Sequence, residues 1–379
     1  MANKKQKEEE PKVVKEPKNA KVAVSNAIKE TSKFNAGPLD RFKKSNNLVN
    51  NAGFKADTWL PLSPAFNKAI ELPGLPKGYI VMLRGLSDTG KSTALWEAAV
   101  EAQRQGDLVV LIINEMKFSW DRLIKLGFQT DQEVDKETGE IIHTGNFIFV
   151  DRTVLPSIET TGAFIMDLFK EQEKGNLPYN LTFCIDSFGS LPCDMALDLG
   201  KNDNRWNASA MSSTFANFIN FKFPASRKLS SPYTNTMIAI NKQGIKYPET
   251  PREKPKRTSK GGSSLYFDSV LCVDFGNITN AGTSKIEAGK NNKKVVFAKS
   301  VRISVDKNHI TEASTSGRVV MTDYGFIEDS KKSIDSYKEE HKHEWLEILG
   351  TTDVDVLIEA EIPEDKLTKG SAYATEEED

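Results

Sequence analysis

Short apolar runs alternate with helix-like stretches through the middle of the chain. Strand-length apolar runs occupy residues 79–83, 108–113, 147–150, 181–185, 237–240, 270–273 and 301–305. Helix-like stretches fill residues 92–103, 120–126 and 158–170. Short apolar strands that alternate with helices are typical of a parallel sheet covered on both faces. The pattern therefore predicts an α/β fold built on a mostly parallel, twisted sheet.

The pattern is different on either side of this region. From about residue 265 strands dominate, which indicates an antiparallel extension of the same sheet. The polar stretch 129–145 is typical of a surface hairpin. We predict four segments: a disordered, lysine-rich tail (1–22), a helical segment for subunit contacts (23–57), a core (58–330) and an acidic, helical or disordered tail (331–379).

Composition narrows the class of protein. The 379 residues carry a formal net charge of −2, so there is no overall basic excess that would indicate a nucleic-acid partner. A lysine-rich start and an acidic end suggest steering or self-association, unless both tails are merely solvated. The three cysteines, Cys184, Cys193 and Cys272, form no CxxC pair, which fits a reducing cytoplasm. No apolar run reaches the ~18 residues of a membrane span, and no signal peptide is recognisable.

The strongest motif is a glycine-rich loop between a predicted strand and a predicted helix. It reads GLSDTGKST and comprises Gly85, Leu86, Ser87, Asp88, Thr89, Gly90, Lys91, Ser92 and Thr93. Its two glycines let the loop bend so that backbone N–H groups face a phosphate, and the following helix adds its N-terminal dipole. In this motif the lysine reaches the β- and γ-phosphates, and the serine hydroxyl ligates magnesium. The loop predicts a site for ATP and Mg²⁺.

Two carboxylates follow other apolar strands and complete the predicted site. Asp186 ends the run 181–185, as expected of the carboxylate that holds the magnesium shell together with Ser92. Glu115 follows the run 108–113, where it would face the γ-phosphate. Hydrolysis needs a group that orients and deprotonates water, so Glu115 is the predicted general base.

The order of these parts resembles the RecA family and, within it, the phage UvsX-like recombinases. The segments that carry the resemblance are 72–80 (LPGLPKGYI), 85–93, 114–127 (NEMKFSWDRLIKLG), 186–191 (DSFGSL), 238–241 (IAIN) and 261–270 (GGSSLYFDSV). The resemblance covers roughly residues 59–327. It implies a RecA-type P-loop ATPase core, helical filaments on DNA, and ATP bound between neighbouring subunits. The expected location is the cytoplasm of a bacterial or phage-infected cell.

The resemblance also implies roles for single residues. Asn241 matches the end of the family's sensor strand and is expected to contact the nucleotide. Lys307 lies in a stretch similar to the strand that delivers cations to the neighbour's ATP, so it would act in trans like an arginine finger. One position departs from the family, which usually places Gln or His after the asparagine. Here Lys242 follows, with Gln243 next, and either side chain could reach phosphate.

In the family, DNA is held by two loops, one after each of the Asp186 and Asn241 strands. The second stretch here is basic and rich in glycine and proline, so we predict a mobile loop that grips DNA phosphates, against the alternative of a solvated surface loop. Its predicted DNA-binding residues are Lys246, Tyr247, Arg252, Lys254, Lys256, Arg257, Lys260, Gly261 and Gly262. The first stretch is weaker and offers Arg205, beside a Trp206 that fits a core position equally well.

Together these features predict an ATP-dependent DNA recombinase, a DNA-dependent ATPase that forms filaments on single-stranded DNA and promotes strand exchange. Expected partners are single-stranded and duplex DNA, further copies of the chain, and single-strand-binding and loader proteins. Two alternatives stay open. One is a hexameric helicase motor of the same fold, for whose usual extra N-terminal domain residues 1–55 are short. The other is a mediator that binds ATP and DNA without turnover.

Overall fold

The computed structural model describes residue 41 and residues 53–344, except 116, 137–138, 140, 201–203, 215–218, 249–253, 260–262 and 289–293. The fold belongs to the compact unit that begins at Gly53. The predicted segment 1–22, nearly all of 23–57, and residues 345–379 lie outside the described residues. The segment boundaries predicted above therefore stay predictions.

The described residues form short strands and helices in alternation. The strands are β1 (Trp59–Leu60), β2 (Leu75–Pro76), β3 (Ile80–Gly85), β4 (Leu108–Ile113), β5 (Asp131–Val134), β6 (Ile141–Thr144), β7 (Phe147–Asp151), β8 (Leu181–Asp186), β9 (Thr236–Lys246), β10 (Lys256–Ser259), β11 (Leu271–Phe275), β12 (Ser284–Ala288), β13 (Val295–Asn308), β14 (Ser316–Thr322) and β15 (Gly325–Glu328). The helices are α1 (Pro64–Ile70), α2 (Lys91–Arg104), α3 (Trp120–Lys125), α4 (Ile158–Glu173), α5 (Asp194–Asp198), α6 (Asn204–Thr214), α7 (Lys222–Ser226), α8 (Ser264–Asp268) and α9 (Lys331–Glu340). Among these helices, none combines the length and apolar character needed to cross a bilayer.

One large sheet organises the unit. Its strand order is β15-β14-β13-β11-β3-β9-β8-β4-β7, with β10 beside β9 and β12 beside β13. From β11 to β7 all neighbouring strands are parallel. From β11 outward to β15 the pairs are antiparallel. The predicted α/β fold, with a mostly parallel sheet and an antiparallel extension, is confirmed.

The sheet separates two apolar cores because successive side chains of a strand point to opposite faces. In β3, Val81 and Leu83 join the core that also contains α1 and α2. Their neighbours Ile80 and Met82 join the core that contains α4 and α6. Strands buried on both faces have nearly continuous apolar sequences, as observed for β3, β4 and β8. Because β3, β4 and β8 are buried on both faces, the ends of these strands are held in place, and the candidate site is built from residues at those ends.

A third, smaller core covers the antiparallel extension. Ile334 and Tyr337 of α9 are buried there against β12, β13 and β14. The helix α9 lies within the segment 331–379, which is predicted to be helical or disordered, and it packs on the sheet. The predicted surface hairpin between residues 129 and 145 is present as the antiparallel pair β5–β6.

The basic stretch after Asn241 differs from the predicted loop. Strand β9 continues to Lys246 and pairs with β10, so residues 243–246 and 256–259 form a two-stranded ribbon. Pro248 and Pro255 lie just beyond the paired residues, where a missing N–H group costs no ladder hydrogen bond. The prolines therefore mark the end of the ribbon rather than exclude strands. The residues between its two strands include 249–253, which lie outside the described residues.

Candidate functional site

The glycine-rich loop lies between the end of β3 and the start of α2. Gly85, the last residue of β3, pairs in register with Phe275 of the neighbouring strand β11. A Cβ atom at Gly85 would lie 2.4 Å from the Phe275 carbonyl oxygen, which is closer than real contacts allow. Only glycine therefore fits where the chain leaves the sheet. The loop is thereby held directly against β11.

The Lys91 side chain lies over this loop. Its Nζ donates to the Leu86 carbonyl oxygen at 2.6 Å, and Thr89 Oγ1 donates to the same oxygen at 2.8 Å. Burial lowers the pKa of Lys91, while the carboxylates of Asp186, Glu115 and Asp88 oppose that shift. A buried ammonium of this kind gains from a nearby anion.

Ser92 and Asp186 are in direct contact. Ser92 Oγ donates to Asp186 Oδ2 at 2.7 Å, and Asp186 is the buried last residue of β8. Burial raises the pKa of Asp186 to about 6; the Ser92 hydrogen bond and the Lys91 charge oppose this, while Glu115 adds to it. A second positive charge at this position would favour the ionised carboxylate.

Glu115 lies just beyond the end of β4 and has three polar partners. Its Oε1 lies 3.1 Å from Lys242 Nζ, and it accepts hydrogen bonds from the Ser187 and Ser190 hydroxyls, each at 3.1 Å. Burial alone would raise the pKa of Glu115. The Lys242 hydrogen bond and charge, with the two serines, hold it below its ordinary value. Glu115 is therefore ionised at neutral pH, as a general base must be.

These groups line one cleft with a cavity volume of about 550 Å³. The cleft brings together the whole loop with the predicted Glu115 and Asp186. Lys242 and Gln243 of β9 line it too. Asn241 is buried, is not among the described residues that line the cleft, and has no hydrogen-bond partner for its Oδ1 atom within the described part of the chain. Sequence reasoning left Lys242 and Gln243 undecided, and it gave no contact between Lys242 and Glu115.

Arg122 is a cleft residue that sequence reasoning missed. Its Nη2 atom donates to Thr93 Oγ1 at 3.0 Å, while its buried Nε atom has no hydrogen-bond partner among the described residues. The only signal available was its position in the segment 114–127, seven residues after Glu115.

The residues of the cleft fit a magnesium–nucleotide complex. The serine hydroxyl of Ser92 and the carboxylate of Asp186 are adjacent oxygen donors, which Mg²⁺ prefers. Lys91 supplies a buried positive charge beside them, and the helix α2 begins at that residue. Few protein ligands are needed, because Mg²⁺ keeps several waters and binds substrate phosphates.

The ribbon sorts the predicted DNA-binding residues onto two faces. Lys246 and Lys256 lie directly opposite each other and are exposed, and Tyr247 is 66% exposed beside them. Lys254 is exposed as well. Arg252, Lys260, Gly261 and Gly262 lie outside the described residues.

Arg257 is a predicted DNA contact whose side chain the structure places largely out of solvent. Its side chain is 11% exposed and forms an ion pair with Asp274, with Nη1 3.3 Å from Oδ2. It is turned inward because neighbouring residues of a strand point to opposite faces, and Lys256 takes the outer one. The guanidinium is therefore held inside the molecule instead of being presented to solvent.

Two further predicted residues lie away from the cleft. Arg205 is exposed at the start of α6, and the adjacent Trp206 packs against the core formed with α4. Lys307 Nζ donates to the backbone carbonyls of Tyr266 at 2.9 Å and Phe267 at 2.8 Å. Lys307 is not among the described residues that line the cleft of its own chain, and its predicted action in trans stays a prediction.

Comparison with known proteins gives modest similarities with one consistent name. No family model matches the chain. It is 34% identical over 121 residues to Protein RecA of Wolbachia pipientis subsp. Culex pipiens and 35% identical over 121 residues to that of Wolbachia sp. subsp. Brugia malayi. These two alignments span 31% of this chain and only 32% of each relative. Protein RecA of Mesoplasma florum is 26% identical over 274 residues, which is 69% of this chain and 68% of the relative. The chain is thus similar to proteins named RecA, and none of these similarities distinguishes a phage type.

Proposed function

We propose that this chain is an ATP-dependent DNA recombinase that forms filaments on single-stranded DNA and promotes homologous pairing and strand exchange. The observation that carries the proposal is the continuity of one strand. Strand β9 lines the cleft with Lys242 and runs on without a break into the lysine-bearing ribbon. A nucleotide site and a cationic surface are therefore joined by a single rigid element.

The cleft residues take separate roles in ATP hydrolysis. Lys91 binds the phosphates, and its charge compensates theirs. Ser92 and Asp186 would hold Mg²⁺, which when bound supplies charge neutralisation on the phosphates. Glu115 orients a water molecule and accepts its proton, with its carboxylate positioned by Ser187, Ser190 and Lys242.

The ribbon is the proposed DNA-binding surface. Like charges directly opposite each other on a ribbon repel, so the pair Lys246 and Lys256 is stabilised by an anion between or beside them. Phosphates of single-stranded DNA supply that anion, and the exposed Tyr247 ring can stack on a base. The exposed Lys254 would extend the same surface.

The similarity to proteins named RecA supports this function over other uses of the same cleft. Filament formation and the action of Lys307 on a neighbouring subunit are also proposed on the basis of this similarity. A closed ring of the same fold, as in a helicase motor, and a binding protein without turnover are the competing outcomes.

The test is a homologous strand-exchange assay with ATP and magnesium, together with ATPase rates with and without single-stranded DNA. We expect strand exchange and a DNA-stimulated rate, and Glu115→Gln should lower that rate by ~10²-fold or more while nucleotide still binds. Lys125→Gln, on the outer side of α3, is the matched control and should keep wild-type rates.

Electron microscopy of the same samples separates the competing assemblies. Helical filaments on single strands support the recombinase, whereas closed rings support the helicase motor. DNA binding without any hydrolysis would instead favour the mediator. An unchanged rate in Glu115→Gln would remove Glu115 from its role.

A further inference from the structure

One buried carboxylate holds two arginines from different parts of the fold. Asp274 accepts from Arg84 through both oxygens, with Nε to Oδ1 at 2.8 Å and Nη2 to Oδ2 at 2.9 Å. Arg257 Nη1 lies 3.3 Å from the same Oδ2. The side chains of Arg84 and Asp274 are 5% and 4% exposed, so little solvent screens them. The three groups form one connected ionic cluster.

The two arginines lie in the two parts of the molecule that the proposed function must connect, the phosphate loop and the ribbon. Arg84 is the residue immediately before Gly85, where the phosphate loop begins. Arg257 is on β10, in the ribbon. Asp274 pairs in register with Arg84, and the next residue, Phe275, touches Gly85 backbone to backbone. A displacement of Asp274 therefore acts directly at the start of the phosphate loop.

The inner face of the ribbon has further ties to the segment after β11. Arg257 Nη2 donates to the Gly276 carbonyl oxygen at 2.5 Å, and the Gln243 side chain donates to the Ile278 carbonyl oxygen. Arg257 thus contacts the residues on either side of Phe275. Lys246 and Lys256 are exposed on the outer face of the ribbon. The ribbon can therefore bind DNA with its outer face while its inner face stays in contact with the segment after β11.

Both carboxylates of the cluster keep a cationic partner when Arg257 is removed, although two arginines facing two carboxylates become one arginine facing two. Asp306 of β13 also accepts from Arg84 Nη2, at 2.7 Å, and the Tyr266 ring lies 5.3 Å from the same guanidinium. Asp274 would keep both Arg84 hydrogen bonds. Loss of Arg257 therefore leaves no buried carboxylate without a partner, which is the condition that makes a broken ion pair severely destabilising.

We propose that Arg257 is a positioning residue that transmits DNA binding on the ribbon to the phosphate loop through Asp274 and Arg84. The inference rests on the proposed function, since it needs both a DNA-binding ribbon and a nucleotide-hydrolysing cleft. It assigns Arg257 a different task from its exposed neighbours. Lys256 would supply affinity for DNA, and Arg257 would make hydrolysis respond to that binding.

The experiment compares Arg257→Gln with the neighbouring Lys256→Gln in the full chain. The readouts are the affinity for a single-stranded oligonucleotide as a function of salt, and the ATPase rate without DNA and at saturating DNA. Each phosphate contact to a single strand contributes about 0.7 to the salt slope. Lys256→Gln should lower the slope by about that amount and keep full stimulation at saturating DNA.

Arg257→Gln should leave the salt slope and the DNA-free ATPase rate unchanged but lower the stimulation at saturating DNA by about tenfold, and Arg257→Lys should restore part of it. A lowered slope with full stimulation in Arg257→Gln would overturn the proposal, because Arg257 would then be a DNA contact. An altered DNA-free rate that Arg257→Lys does not restore would also overturn it, by assigning Arg257 to folding. If wild type does not respond to single strands, the proposed function itself fails.

Discussion

Lys242 Nζ lies 3.1 Å from Glu115 Oε1, and this pair joins the strand that leads to the ribbon with the predicted general base. Both side chains are only partly exposed, at 43% and 33%. Lys242 occupies the position at which the family that this sequence resembles usually has Gln or His. A cation there can pair with a carboxylate before a phosphate is present, which a neutral side chain does only weakly.

Replacing Lys242 by methionine should change the pH dependence of ATP hydrolysis. The pKa of Glu115 is held below its ordinary value by Lys242 against a burial effect that raises it. Without the lysine, only the hydrogen bonds from Ser187 and Ser190 oppose the burial effect, so the pKa of Glu115 rises. Activity that needs ionised Glu115 should then be lost at a higher pH. The acid limb of the rate–pH profile is predicted to move to higher pH.

The control for this prediction is Lys117→Met, which removes a second lysine of the same cleft. Its acid limb should stay with that of wild type. If Lys242→Met and wild type have the same acid limb while their rates differ, Lys242 acts on the phosphates and does not tune the pKa of Glu115.

Asp186→Asn should stabilise the nucleotide-free protein at neutral pH and impair magnesium-dependent nucleotide binding. Burial raises the pKa of Asp186 from 3.8 to about 6, so its ionised form is disfavoured in the fold. The stability associated with this raised pKa is present below about pH 4 and lost as the pH rises through about 6. Removing the charge should recover up to about 3 kcal/mol at pH 7.5. Urea unfolding at pH 7.5 and pH 4 measures this gain.

The gain in Asp186→Asn should vanish at pH 4, where the wild-type carboxyl is protonated too. Ser92→Ala is the comparison variant, because it removes the hydrogen bond from Ser92 Oγ to Asp186 Oδ2 without removing the charge. Equal stabilisation by Asp186→Asn at both pH values would mean that the ionisation of Asp186 is not its source.

The fold and the core of the cleft could be predicted because their signals are local. Strands β3, β4 and β8 are nearly continuous apolar runs, and each is buried on both faces of the sheet. Lys91 and Ser92 follow from the spacing of one motif, and Asp186 and Glu115 from their places at strand ends. Parallel strands bring such ends to the same edge of a sheet, so their meeting needed no long-range information.

The rest depends on contacts that sequence spacing does not encode. Glu115 and Lys242 meet across β8, which lies between their strands in the sheet. Lys256 and Arg257 are adjacent cations, and four residues of strand carry no periodicity strong enough to say which one faces inward. The ion pair with Asp274 holds Arg257 on the inner face, and sequence spacing does not show this contact. The prolines of the ribbon were also misleading, because they lie beyond its paired residues.

Gly325→Ala should be far more damaging than an ordinary glycine substitution. A Cβ atom there would lie 2.1 Å from Glu97 Oε1, in a buried carboxylate that accepts from Phe326 N at 2.9 Å and Ser63 N at 2.8 Å. Glu97 is on α2, the helix that follows the phosphate loop. We expect a loss of ~3 kcal/mol or more in the free energy of unfolding, from backbone strain plus displacement of this carboxylate.

Gly106→Ala isolates the backbone contribution to that loss. Gly106 also has a positive φ, of 81°, but a Cβ atom there meets no atom of the described residues within 4 Å. It should cost only the ~1–2 kcal/mol of a left-handed alanine. Chemical denaturation of both variants gives the difference, and equal losses would exclude the clash with Glu97 as the cause.

Lys307 offers a test of whether the cleft is completed by a neighbouring copy. In its own chain Lys307 Nζ is held by the backbone carbonyls of Tyr266 and Phe267, outside the cleft of the described residues. If it acts on the nucleotide of a neighbour, Lys307→Ala and Lys91→Ala lose activity for different reasons. The first keeps an intact phosphate loop, and the second keeps an intact Lys307.

Mixing the two inactive variants should therefore restore hydrolysis. In a head-to-tail assembly of equal parts, about a quarter of the interfaces join an intact phosphate loop to an intact Lys307, so about a quarter of the wild-type DNA-stimulated rate is expected. A mixture of Lys91→Ala with Glu115→Gln is the control and should stay inactive, because both changes fall in the same half of the interface. If Lys307→Ala alone keeps the wild-type rate, or if the mixture with Lys91→Ala gains nothing, Lys307 does not act in trans. Its contacts with Tyr266 and Phe267 would then be its whole role.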